Sequence, residues 1–233
     1  MLEVIGGALC ASAGVLAYGV RGKTSTFFGP SIYRGETSRP AVALTFDDGP
    51  SQYTPVLLEL LDRYKVPATF FQCGIHAERL PATARAVSLA GHEIGNHTYS
   101  HEGFWLRTPG FINEEISRAQ KVLEKVHGIP PRLVRAPYGA RWFGMSAVQQ
   151  KLNLLGVMWT TIGLDWRLSS RGVYERLLRS VCNGAIICLH DGRGLERNPD
   201  VRETVDAVRR IIPAFLDRGF HFETVSQIIC PTA

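Results

Sequence analysis

Two adjacent carboxylates, two imidazoles four residues apart and a third imidazole closing an apolar run are the groups of this chain whose types and spacing can do chemistry. They are Asp47 and Asp48 in Thr45-Phe46-Asp47-Asp48-Gly49, His97 and His101 in His97-Thr98-Tyr99-Ser100-His101, and His190 after Ile186-Ile187-Cys188-Leu189. Imidazoles at that spacing can reach one cation. With Asp48 beside them they leave the ion a net positive charge and open positions for water and a substrate oxygen. Such a ligand set suits zinc first, with cobalt, nickel or manganese as alternatives, and it also describes the facial triad of non-haem iron oxygenases. Asp47 separates the two readings: hydrolysis needs a base for the proton of the attacking water, and oxygen activation needs no adjacent free carboxylate. Neighbouring side chains at a strand end diverge, so Asp48 can face the ion while Asp47 faces the water. Taken in isolation, one Asp of the pair could simply cap the Asp-Gly-Pro turn.

Groups so far apart in sequence need elements that deliver them to one place. From Arg39 onward, runs at 41–46, 68–73, 93–95, 133–135, 157–160, 185–189 and 221–225 read as strands, and between them lie helical patterns at 54–64, 81–90, 112–126, 146–155, 172–181 and 201–217. This alternation predicts a parallel sheet, and about seven repeats suit a closed or partly closed (β/α) barrel, with a doubly wound open sheet as the alternative. In either architecture catalytic groups gather at the carboxyl ends of the strands. Asp47, Asp48, His97, His101, Arg135, Asp165, Trp166 and His190 all follow or close a strand-like run. No G-x-G-x-x-G or P-loop follows the first strand, which argues against nucleotide binding.

At 233 residues, 45% hydrophobic and 20% charged, the chain can bury one substantial core. The net charge of +5 comes from scattered Arg without a dense basic run, so a nucleic-acid partner is not expected. Five cysteines without C-x-x-C spacing argue against a disulfide framework, although a Cys182 to Cys230 bridge would fit an oxidising compartment. Residues 4–20 form an uncharged apolar run ended by Arg21, Gly22 and Lys23. Its length is the lower limit for a spanning helix, and no clean cleavage site follows. It reads as an uncleaved membrane tether, the alternative being a Gly/Ala-rich helix packed on the domain. The division is therefore 1–39, anchor and linker, and 40–230, catalytic domain. The positive flank favours a cytoplasmic orientation by charge alone.

Five segments together resemble the motifs of the NodB-homology polysaccharide deacetylases, carbohydrate esterase family 4, in order: Thr45 to Gly49, His97 to His101, Arg135-Ala136-Pro137-Tyr138-Gly139, Asp165-Trp166, and Ile187-Cys188-Leu189-His190. The resemblance spans about Pro40 to Val225. It implies a distorted (β/α) barrel, one divalent metal on Asp48, His97 and His101, and removal of an acyl group from an amino sugar. By the same resemblance Asp47 is the base oriented by Arg135, and His190 is the acid supported by Asp165. Tyr138 offers its backbone N–H to the oxyanion, and Trp166, Cys188 and Leu189 line the acyl pocket. Two residues depart from the pattern: Cys188 stands where a leucine is usual, and Ala136 where a proline is common.

The expected substrate is thus an N-acetylated amino-sugar polymer or oligosaccharide, of peptidoglycan or chitin type, acted on by a monomer at an extracytoplasmic surface, periplasmic or on the cell exterior, with a cytoplasmic orientation as the alternative. A lipid-linked sugar deacylase and a non-catalytic carbohydrate-binding relative are the alternatives. His76, His92, His127 and His221 have no partner at ligand spacing and read as structural or surface groups. The loop Arg193 to Arg197, at the active face, could touch a glycan.

Overall fold

The computed structural model describes residues 13–230. Its strands are β1 (Ser31–Ile32), β2 (Ala41–Asp47), β3 (Thr69–Gln72), β4 (Glu93–Asn96), β5 (Leu133–Val134), β6 (Leu155–Val157), β7 (Thr161–Ile162), β8 (Ala185–His190) and β9 (His221–Phe222). They form one sheet in the order β1-β6-β5-β4-β3-β2-β8-β7, with β9 added beside the start of β2, and every ladder is parallel. Helices α1 (Thr54–Tyr64), α2 (Gly74–Arg79), α3 (Pro81–Leu89), α4 (Pro109–His127), α5 (Met145–Leu152), α6 (Ser170–Ser180), α7 (Arg202–Asp217) and α8 (Val225–Ile229) alternate with the strands. This is a distorted (β/α) barrel, left open between its outermost strands.

The central strand shows why the sequence folds this way. All seven residues of β2 are buried, as expected for a parallel strand covered on both faces. Val42, Leu44 and Phe46 point to the helices, where they join Leu57, Leu61, Val208, Ile211 and Phe215. Ala41 and Ala43 point the other way and meet Phe71, Ile186, Val225 and Ile228 inside the barrel. Small residues on the inner face leave room there for polar side chains above them. By alternation, Thr45 and Asp47 continue that inner face toward the strand end.

The expected elements differ from these in places with identifiable causes. The strand read at 157–160 lies earlier, at Leu155–Val157, and the chain re-enters the sheet as β7. The strand read at 221–225 stops at Phe222, because Thr224 and Gln227 form a reciprocal capping box that starts α8. Helix α2 is too short for its period to register in sequence. Cys182 and Cys230 carry free thiols, so the bridge considered between them is not formed.

Most of the apolar run 4–20 lies outside the described residues. Residues 13–21 are helical, and Val15, Leu16 and Tyr18 are exposed. Among the described residues no helix is long and apolar enough to cross a membrane. Beyond Arg21 the chain packs on the domain: buried Phe28 stacks on Trp142, and β1 pairs with β6.

The outer layer is therefore a principal source of stability. Phe46 is fully buried and stacks on Phe70 at 4.9 Å between ring centroids. Phe46→Ala is expected to destabilise the fold by about 3–5 kcal/mol, read as a lower urea midpoint at unchanged slope. A loss below about 1 kcal/mol would mean that this layer is loosely packed.

Candidate metal centre and catalytic pocket

Asp48, His97 and His101 meet just beyond the carboxyl ends of β2 and β4. Oδ1 of Asp48 lies 3.2 Å from Nε2 of His97 and 3.0 Å from Nε2 of His101. All three side chains are buried, and their donor atoms lie within 4.8 Å of one another. The ring of His97 donates from Nδ1 to the carbonyl oxygen of Arg135 at 2.8 Å. A carbonyl only accepts, so this bond fixes the proton on Nδ1 and turns a bare Nε2 lone pair toward Asp48. Oδ1 of Asp48 has no hydrogen-bond donor of its own although it is buried. Lone pairs converging in a buried space call for a cation, and the site fits a divalent metal held by two nitrogens and one oxygen.

Electrostatics point the same way. Burial opposes the charge of Asp48, yet the two imidazoles outweigh it and hold the carboxyl well below the usual range. Burial likewise opposes a charged His97, but Asp47 and Asp48 raise its pKa. Protons and a metal ion therefore compete for this site.

Asp47 turns the other way, into the barrel. Its Oδ1 accepts from Nη1 of Arg135 at 2.7 Å, and its Oδ2 lies 3.4 Å from the thiol sulfur of Cys188. Arg135 is 0% exposed. Its other donors are taken by the Val157 and Met158 carbonyls and the Thr45 hydroxyl, and its guanidinium lies over the Phe71 ring.

His190 stands directly across the ladder from Asp47: the six-pair register between β2 and β8 ends on Asp47 opposite His190. Adjacent strands lie about 4.8 Å apart, so register alone places both groups on one cavity. Nδ1 of His190 donates to Oδ1 of Asp165 at 2.9 Å, while Oδ2 of Asp165 accepts from the His190 backbone N–H and the Thr204 hydroxyl. Burial disfavours the charged imidazole, but the charge and hydrogen bond of Asp165 prevail, and with Asp48 and Asp47 they raise His190 to about 9.

A cavity of about 460 Å³ opens above these groups. Its rim carries Tyr138, 51% exposed, and Trp166, 48% exposed, the latter edge-on to the His190 ring at 5.0 Å. Cys188 lines the cavity. Leu189 does not: alternation along β8 sends it to the opposite face, where it is fully buried in the outer core with Leu44 and Val173. Five non-glycine residues around the site have left-handed backbones: Asp48, Thr98, His101, Tyr138 and Leu164, with φ of 71°, 66°, 55°, 58° and 56°. Such strain concentrates where side chains must be aimed against local preference.

Several contributors have no spacing signal in the sequence. The Gly194 N–H donates to Oδ2 of Asp48 at 2.9 Å, and His76 holds the Gly194 carbonyl through Nε2 at 2.6 Å. The carboxylate of Asp191 occupies the space that a Cβ on Gly49 would need, so only glycine fits beside Asp48. Arg21, from the stretch before the first long strand, reaches the rim and donates to the Tyr138 carbonyl at 3.3 Å.

A sequence model of the polysaccharide deacetylase family matches residues 34–157. The chain is 34% identical to a chitooligosaccharide deacetylase of Sinorhizobium fredii over 205 residues, covering 84% of this chain and 95% of that protein. It is 31% identical to a peptidoglycan-N-acetylglucosamine deacetylase of Bacillus cereus over 198 residues, or 84% of this chain and 70% of the other. A solved peptidoglycan N-acetylglucosamine deacetylase, in complex with 4-naphthalen-1-yl-N-oxidanyl-benzamide, superposes with a TM-score of 0.80 at 29% identity, over 86% of this chain and 92% of that one.

Proton competition at the triad makes metal affinity pH-dependent in a stated direction. Zinc affinity is expected to weaken as pH falls, because the His97 imidazole, whose protonation Asp47 and Asp48 favour, must release its proton to ligate. Isothermal titration in two buffers of different ionisation enthalpy would read this as proton release on binding; binding with no proton release would contradict the proposed ligand set.

Proposed function

The chain belongs to the polysaccharide deacetylase family, and on that premise we propose that it is a metal-dependent hydrolase removing N-acetyl groups from N-acetylglucosamine-containing glycans. The observation that carries this reading is the pairing of Asp47 with His190 across one strand ladder, each held by a buried partner of opposite charge, beside a metal-ligand triad. A dication on Asp48, His97 and His101, zinc by the chemistry of the donors, would polarise the acetamide carbonyl and acidify the attacking water.

The chain's own groups account for the proton traffic. Arg135 occupies Oδ1 of Asp47, so Oδ2 faces the cavity and takes a proton from water as its oxygen attacks the carbonyl carbon. Asp165 occupies Nδ1 of His190, so Nε2 is the ring nitrogen that delivers a proton to the departing amine. The C–N bond then breaks to give acetate and a free amino sugar. Tyr138 stands at the rim on a left-handed turn that supports a role for its N–H at the developing oxyanion. Trp166 would wall the side that receives the acetyl methyl.

The apolar run 4–20 supports a tether that keeps the domain at an extracytoplasmic surface, where such glycans lie. A second reading, a lipid-linked amino sugar as substrate, is favoured by one observation: exposed Val15, Leu16 and Tyr18 lead directly to Arg21 at the cavity rim. Acetate release measured across chitin oligosaccharides, peptidoglycan and a polyprenyl-linked N-acetylglucosamine separates the two readings by the preferred substrate. No acetate from any of them would refute both.

Two variants test the division of roles. Asp47→Asn is expected to keep metal and glycan affinity while turnover falls by about two to four orders of magnitude. Loss of the ion held by Asp48, His97 and His101 would reassign Asp47 as a ligand of that ion.

The second concerns pH. Asp165 raises His190, so the protonated acid persists to higher pH and is lost as pH rises through its folded value. A dication on Asp48 offsets that carboxylate's contribution, so the basic limb of the metal-loaded enzyme should fall below 9. Asp165→Asn is expected to move the limb to still lower pH at unchanged metal content. An unmoved limb would show that His190 is not the group titrating there.

A further inference from the structure

Asp47, Cys188 and His190 form a second set of donors. One ligand atom from each lies within 4.8 Å of the other two, and all three residues line the cavity. Their placement follows from the ladder: Cys188 and His190 are two apart on one face of β8, and Asp47 is the register partner of His190. Each also has one atom without a hydrogen bond to any group outside the set. Arg135 takes Oδ1 of Asp47 and leaves Oδ2, which is already 3.4 Å from the Cys188 sulfur. Asp165 takes Nδ1 of His190 and leaves Nε2, the carboxylate–imidazole support found behind metal-ligating histidines.

An oxygen, a sulfur and a nitrogen so placed select a soft or borderline cation and disfavour magnesium or calcium. We propose that Asp47, Cys188 and His190 bind a second divalent ion of the zinc or cadmium type, and that this ion inhibits by occupying the groups that move protons. The inhibitory half of this inference rests on the proposed function, whereas the binding half does not. Binding forms a metal–sulfur bond as the thiol proton leaves to solvent, and a charged His190 releases one further proton. Charge permits two ions. The carboxylates of Asp47, Asp48 and Asp165 and the thiolate of Cys188 face the Arg135 guanidinium and two dications, which leaves one net positive charge. Cys188 is the deciding residue, since a leucine at that position supplies no donor.

The test is cadmium titration of the zinc-loaded full chain, followed by ultraviolet thiolate-to-cadmium charge transfer and by metal content after gel filtration. The wild type should bind one more ion per chain than Cys188→Leu and Cys188→Ala, with a charge-transfer band that both variants lack. Both variants should keep the first ion and the far-ultraviolet dichroism of the wild type. Excess zinc should slow acetate release by the wild type, with at least tenfold more required for Cys188→Leu. Equal stoichiometry and an equal band in wild type and both variants would overturn the second site whether or not the protein deacetylates. A Cys188-dependent second ion that leaves turnover unchanged would overturn the inhibition.

Discussion

One buried cation organises this protein. The Arg135 guanidinium lies wholly inside the barrel, where an unpaired charge would be prohibitive, and its partners show how the cost is met: one carboxylate, two carbonyls, a hydroxyl and the face of Phe71. The same residue acts twice on the site. Its side chain fixes Asp47, and its backbone carbonyl fixes the tautomer of His97. Its backbone N–H donates in turn to the carbonyl of Asn96, next to His97. A two-residue strand, β5, thereby links the triad Asp48, His97 and His101 to Asp47 more tightly than its length suggests. Removing one member of such a buried pair costs about 3–5 kcal/mol, so stability and the proposed catalysis share this contact.

Parallel register does the rest. Because β2 and β8 run side by side for six residue pairs, two groups 143 positions apart in sequence finish at one level. The inner face narrows to alanine at the bottom of β2 and turns polar at the top. The apolar core and the polar site are thus two ends of the same strands. Above them, left-handed backbones at Asp48, His101 and Tyr138 aim groups that regular strand ends would point elsewhere.

Much of this was legible in the sequence, and the reason differs by residue. His97, His101, Asp47 and Asp48 are readable because ligand chemistry restricts residue type and spacing, and β2 because a fully buried parallel strand is continuously apolar. Leu189 lies off the cavity because proximity in sequence to His190 is not proximity in space on an alternating strand. The supports at Gly194, His76, Thr204 and Asp191 were invisible, since each acts through one long-range bond that any polar residue or glycine could make. Short elements such as β1, β7 and α2 fall below the length at which periodicity can be detected.

Amide hydrolysis by this barrel would rest on a metal held by Asp48, His97 and His101 and on two oppositely supported proton carriers. It is tested most directly by incubating the zinc-loaded protein with an N-acetylglucosamine tetramer and measuring acetate and free primary amine together. Equimolar appearance of the two is expected, abolished by chelation and restored by zinc. Zinc-loaded protein that binds the tetramer yet releases neither product would contradict it.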